Sequence, residues 1–88
     1  MSQRIMAKMA DGTEIEAVAE TVLYPNGSPK YRGFLLAGEP HGAWRWFRVD
    51  GSLMRTGEFD HGAQVGTWRT YDRSGRLVKE TVFATRES

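Results

Sequence analysis

One phrase occurs twice in this chain, and it constrains the fold more than any other feature. Gly33, Gly38, Gly42 and Trp44 return as Gly57, Gly62, Gly66 and Trp68, every member displaced by the same interval. Arg45 and Arg69 follow in step, and so do the next aromatics, Phe47 and Tyr71. A fixed period of this size means that the fold is built by adding copies of one supersecondary unit.

Composition sets the scale of that construction. At 88 residues, 40% of them hydrophobic and 26% charged, the chain has the balance of a single globular domain. A domain this small buries little more than half of the surface its unfolded chain exposes. Without cysteine it has neither a disulfide framework nor a thiolate metal site. No apolar segment near the N-terminus has signal-peptide length, and none is long enough to span a bilayer, so a cytoplasmic address is expected. The net charge of +1 gives no reason to expect nucleic acid as a partner.

Taken in order, residues 1–24 form a separate opening segment. Asp11-Gly12 reads as a hairpin turn between two alternating runs. Residues 13–22 admit two readings. Thr13 and Glu16 fit a helix-capping box, whereas the ending Thr21-Val22-Leu23-Tyr24 suits a pleated strand. The strand reading makes 1–24 a cap hairpin for the repeats.

From residue 25 onward the turns recur. Asn26-Gly27, Asp50-Gly51 and Ser74-Gly75 are equivalent turns, and the glycine permits the positive φ that a tight hairpin requires. A second, glycine-rich class spans 37–42 and 61–66. Pro40, lacking an N–H for a ladder, marks the first of these as loop. Between the turns lie strand-length segments at 30–36, 43–49, 53–59, 67–72 and 77–83. The expected fold is all-β: an antiparallel meander of β-hairpins built from repeats of about 24 residues, a short solenoid-like sheet. Residues 1–88 form one domain, with repeats over 25–83 and a frayed tail at 84–88.

With the Gly-x4-Gly-x3-Gly-x-Trp spacing laid out, the chain resembles MORN-repeat proteins, in particular the bacterial MORN-variant type found in antitoxin-like and immunity-like proteins. Tyr31-Arg32-Gly33 resembles the opening of a MORN unit, and the three Asx-Gly or Ser-Gly turns resemble its close. Trp44 and Trp68 depart from the ordinary unit, which has glycine there. The pattern Trp44 to Phe47 and Trp68 to Tyr71 points to the variant subgroup. The resemblance covers residues 24–83 and implies a scaffold, a lipid-binding platform or a neutralising protein partner.

The side chains able to carry function divide into three groups. Alternation along a strand places Trp44 and Trp46 on one face and Phe47 on the other. Trp44 and Trp68 read as core, in register two strands apart. Trp46 has Thr70 as its counterpart in the next unit, so it reads as a contact residue. Trp46, Phe47 and Tyr71 are therefore the candidate anchors for a protein partner, since tryptophan, tyrosine and arginine dominate interface energetics. Lys30, Arg48, Arg73 and Arg76 gather at the Asx-Gly edge. They are the candidates for the alternative function, binding an anionic lipid or membrane surface in a salt-sensitive way.

His41 and His61 sit in the glycine-rich turns near Glu39, Glu58 and Asp60, but without metal-ligand spacing and outside the repeating pattern. They read as solvated turn residues. Ser52 and Ser74 lie in turns of the other class, with no activating motif. No catalytic residue, metal or cofactor is expected, and the reading is a non-catalytic interaction module. Open sheet edges leave a homodimer as a further expectation.

Overall fold

The computed structural model describes residues 2–8 and 14–83. The chain forms β1 (Ser2–Lys8), β2 (Glu14–Leu23), β3 (Pro29–Leu36), β4 (Glu39–Pro40), β5 (Gly42–Phe47), β6 (Leu53–Asp60), β7 (Ala63–Tyr71) and β8 (Leu77–Phe83). All pair antiparallel in one open sheet of order β1-β2-β3-β5-β6-β7-β8, with β4 paired to the end of β3. Overall dimensions of 42 × 30 × 14 Å are those of a single layer. The expected all-β meander is thus the observed architecture, and residues 14–23 are strand rather than helix. The Asp11-Gly12 turn and the tail at 84–88 lie outside the described residues. Among the described residues, no helix is long and apolar enough to cross a membrane.

The Asx-Gly hairpins are built alike, and their geometry explains the repeat. In each, the first turn residue (Tyr24, Arg48 or Asp72) accepts from the glycine N–H three positions on and donates to the carbonyl four positions on. Gly27, Gly51 and Gly75 have φ near +90°. Asn26 and Asp50 stay at negative φ, so each loop is a type I turn closed by a left-handed glycine, not a mirror-image turn with two positive φ values. Pro25 suits this directly, since its ring locks φ negative. The cost to the ladder is one extra residue per hairpin. Val22 faces Tyr31 while Leu23 faces Pro29, leaving Lys30 over; Met54 and Val78 are left over in the same way. These three bulges recur at the interval of the sequence repeat, so they belong to the unit itself.

Adjacent units are latched at this edge. The Tyr24 hydroxyl donates to the Phe47 carbonyl at 2.7 Å. One unit on, Arg48 Nη2 donates to the Tyr71 carbonyl, while Nη1 reaches Ser52 Oγ and the Leu53 carbonyl. The third position is Asp72, whose carboxylate has no proton to donate. It turns inward and accepts from the Ser74 and Arg76 backbone N–H groups instead. Arg48→Met removes these charge-assisted bonds at a half-buried site. It should cost about 1–2 kcal/mol in chemical denaturation, because each bond from a charged donor contributes on that order.

The glycine-rich turns are tighter than the sequence suggests. Ala37-Gly38 and His61-Gly62 each take two successive positive φ values, 51° and 82° in one and 48° and 87° in the other. Such a pair closes a two-residue hairpin, so the chain rejoins the ladder at Glu39 and at Ala63. Two expectations are corrected here. The loops do not extend over 37–42 and 61–66, and Pro40 lies in β4 opposite Leu35. Proline is tolerated because its carbonyl is the group used: it accepts from the Gly62 N–H at 2.8 Å, joining the two turns. Gly66, at φ +69°, lies inside β7, the strand whose register to β6 shifts.

Alanine at φ 51° is strained by contact between its Cβ and the backbone. Ala37→Gly should therefore raise stability by about 0.5–1 kcal/mol, read as an increase in denaturation midpoint, after glycine's larger unfolded-state entropy is subtracted.

Candidate interaction surface

Antiparallel partners share a face, so the registers sort the side chains. One face carries Tyr31, Trp46 and Trp44 with Gly33, then Arg55, Gly57 and Phe59, then Thr70 and Trp68, and finally Lys79, Thr81 and Phe83. The rings on it touch in sequence. Tyr31 and Trp44 lie 5.7 Å apart between centroids, Trp44 and Trp46 6.1 Å, and Trp46 and Trp68 5.3 Å. Phe59 stands edge-on to Trp68 at 5.1 Å and to Trp44 at 5.9 Å. Phe83 closes the row at 6.1 Å from Trp68. Edge-to-face and tilted contacts of this kind add to simple burial because the ring edge is positive and the face negative.

The glycines at the head of each repeat make room for these rings. A Cβ on Gly33 would sit 2.0 Å from Trp44 Cδ2, and one on Gly57 would sit 2.4 Å from Trp68 Cδ2. Each indole therefore lies flat on the backbone of the strand before it. Trp44 and Trp68 are only 6% and 7% exposed, and both indole N–H groups donate to carbonyls, of Phe34 and Val65 respectively. They are core, as expected. The equivalent position in β8 is Thr81, whose side chain leaves no such space for a flat indole.

The three candidate anchors are not brought together as one patch. Trp46 is half-buried and fills the gap between Trp44 and Trp68, as part of the ring row. Phe47 and Tyr71 are half-buried at the Asx-Gly edge, where their carbonyls receive the latch bonds. The basic edge is also divided. Arg48 is spent on its latch, Arg73 lies 3.5 Å from Asp50, and the Lys30 ammonium sits 5.9 Å over the Tyr24 ring. Arg76 is exposed.

Carboxylates at this edge are stabilised in the charged form. The Ser52 backbone and side-chain hydrogen bonds hold Asp50 below the usual carboxylate range. The Ser74 hydroxyl, and then the Arg76 N–H, do the same for Asp72. A folded-state pKa below the unfolded value gives stability that is present above the unfolded value and disappears as pH falls through the folded one. Thermal stability should therefore decline on acidification below about pH 4, less steeply in an Asp72→Asn variant.

The opposite face holds a feature that sequence reading missed. Thr21, Arg32, Arg45, Thr56, Arg69 and Glu80 are successive register partners across the sheet. Arg69 is paired with Glu80 at 2.8 Å, whereas Arg32 and Arg45 are like-charged direct neighbours and exposed. They border a groove of about 330 Å³ lined also by Ala19, Phe34 and Ala43. A signal for it exists in the chain: an arginine follows each repeated tryptophan, and Arg32 precedes Gly33. Only the strand register shows that Arg32 and Arg45 adjoin.

The glycine-rich turns bring His41, Asp60 and His61 together, with Glu39 beside them. Ser52 and Ser74 lie at the other edge, bound to Asp50 and Asp72. Comparison of the chain with protein-family models, with curated proteins and with solved structures finds no match.

Proposed function

We propose that this chain is a non-catalytic protein-interaction module of the MORN-variant, antitoxin-like kind, which binds a protein partner through its aromatic face. One observation carries the reading. The sheet is a single layer 14 Å thick, and of its ring row only Trp44 and Trp68 fall among the buried core residues. Tyr31, Trp46, Phe59 and Phe83 remain half-buried. A partner covering this face would complete their burial at about 25 cal/mol per Å² of apolar area, less the costs of association. The position of Trp46 at the centre of the row, between its register partners Tyr31 and Arg55, is where an interface anchor contributes most.

The alternative, an anionic lipid or membrane surface bound by the Asx-Gly edge, is less well supported, because Arg48 is committed to the latch and Asp50, 3.5 Å from the exposed Arg73, offsets part of the positive charge there. Affinity capture from the native host tests the main reading, with Thr70→Glu as the comparison. Thr70 lies on the ring-bearing face but contributes no ring to the row, so this variant places a charge there and leaves the stacked aromatics in place. A protein captured by the wild type and lost with Thr70→Glu supports the proposal. Absence of any protein partner, together with vesicle binding that weakens on Arg73→Glu plus Arg76→Glu, sinks it in favour of the alternative.

A further inference from the structure

The glycine-rich edge carries a cluster that the interaction reading does not use. His41 takes the place of Val65 in the repeat, and His61 the place of Ala37, so neither imidazole is needed to form the unit. The fold nevertheless brings them ring to ring, with centroids 4.7 Å apart. Asp60 Oδ1 lies 3.8 Å from His41 Nδ1 and 3.9 Å from His61 Nε2. Donor atoms of all three residues fall within 4.8 Å of one another. On its other side His61 turns Nδ1 toward Glu39 Oε1, at 4.0 Å.

We propose that His41, Asp60 and His61 form a binding site for a divalent transition-metal ion such as Zn²⁺, with Glu39 orienting His61 from behind. The chemistry of the set fits: two imidazoles and one carboxylate are the nitrogen and oxygen donors that zinc takes, and three protein ligands leave a position for water. Metal–ligand bonds of about 2.0–2.1 Å place tetrahedral donors about 3.3 Å apart. The two Asp60 separations then need to close by about half an ångström and the histidine pair by up to about 1.5 Å, within the reach of side-chain rotation at an exposed turn. An imidazole that binds metal through one nitrogen and donates the other N–H to a carboxylate is the usual arrangement of a metal-bound histidine, and His61 Nδ1 faces Glu39 at 4.0 Å, a small rotation short of that bond. The two turns are already tied by the Gly62-to-Pro40 bond, so little chain ordering remains to be done. His41 Nδ1 now accepts from the His61 backbone N–H at 3.2 Å. Metal binding there releases that N–H to water, which is close by because both side chains are partly exposed. The cluster also lies at the edge away from the latches, so occupation leaves the Tyr24 and Arg48 latch bonds intact.

The test is calorimetric titration of the untagged chain with ZnCl₂, with the two imidazoles followed by NMR. His41→Val borrows the residue of the equivalent position, and His61→Asn keeps a side chain that tolerates the left-handed backbone. One-to-one binding is expected, with both ring signals shifting. It should weaken at least tenfold in each histidine variant and by roughly ten- to a hundredfold in Glu39→Gln. Absence of one-to-one binding, zinc affinity unchanged in both histidine variants, or ring signals that stay in place on addition of zinc overturns the proposal. The ring signals of the unaltered chain decide the matter even if a variant fails to fold.

Discussion

Gly33→Ala should abolish much of the stability of this protein, although it adds a single methyl group. The added carbon would lie 2.0 Å from one indole atom and 2.1 and 2.5 Å from two others, so either the Trp44 ring or the β3 backbone must move. The indole is hemmed in: Tyr31 flanks it on one side, with Trp46 and Phe59 beyond. Overpacking of this severity costs about 3 kcal/mol or more. A domain of this length has a total stability on the order of 5–10 kcal/mol. Gly57→Ala should behave alike against Trp68, where the nearest contact would be 2.4 Å. Urea denaturation of both variants gives the magnitude. A double-mutant cycle identifies the cause: Trp44→Ala in the Gly33→Ala background should cost much less than Trp44→Ala alone. Additive costs would mean that the ring is not what excludes the methyl group.

Trp68→Ala is the second large effect expected, at about 3–5 kcal/mol. The indole touches Trp46, Phe59 and Phe83, lies on Gly57 and donates to the Val65 carbonyl. Removing it opens the centre of the ring row and exposes a strand backbone whose glycine has nothing to offer in its place. Only Ala17, Leu36, Trp44, Val65 and Trp68 form the buried core among the described residues, so no second layer exists there to collapse into the gap. Trp46→Ala should cost less, because that ring is half-buried before any partner arrives. The difference between the two in thermal melts separates the rings that hold the sheet from those available to a partner.

The contrast between the two glycine classes shows how far the sequence can be read. Gly27, Gly51 and Gly75 announce turns through local chemistry alone, since an Asx or Ser residue before glycine leaves the chain few other conformations. Gly33 and Gly57 carry no such signal. Neither has a positive φ, and what forbids a side chain is an indole arriving from the next strand. Trp46 reads as a contact residue because Thr70 occupies its place in the following unit. Its position between Trp44 and Trp68 depends on the tilt of three rings, which the period does not encode. Arg48 reads as a surface charge; only the approach of Tyr71 turns it into a latch. His41 and His61 belong to different repeats and show no ligand spacing, and two tight hairpins lying side by side are what unite them.

Sequence alone determined the period, the all-β meander and the Asx-Gly turns, because each follows from steric limits on a few neighbouring residues. Tertiary structure decided which glycines serve the indoles, where the rings meet and which charged groups remain available. Those depend on contacts across the sheet, between residues that the chain order keeps apart.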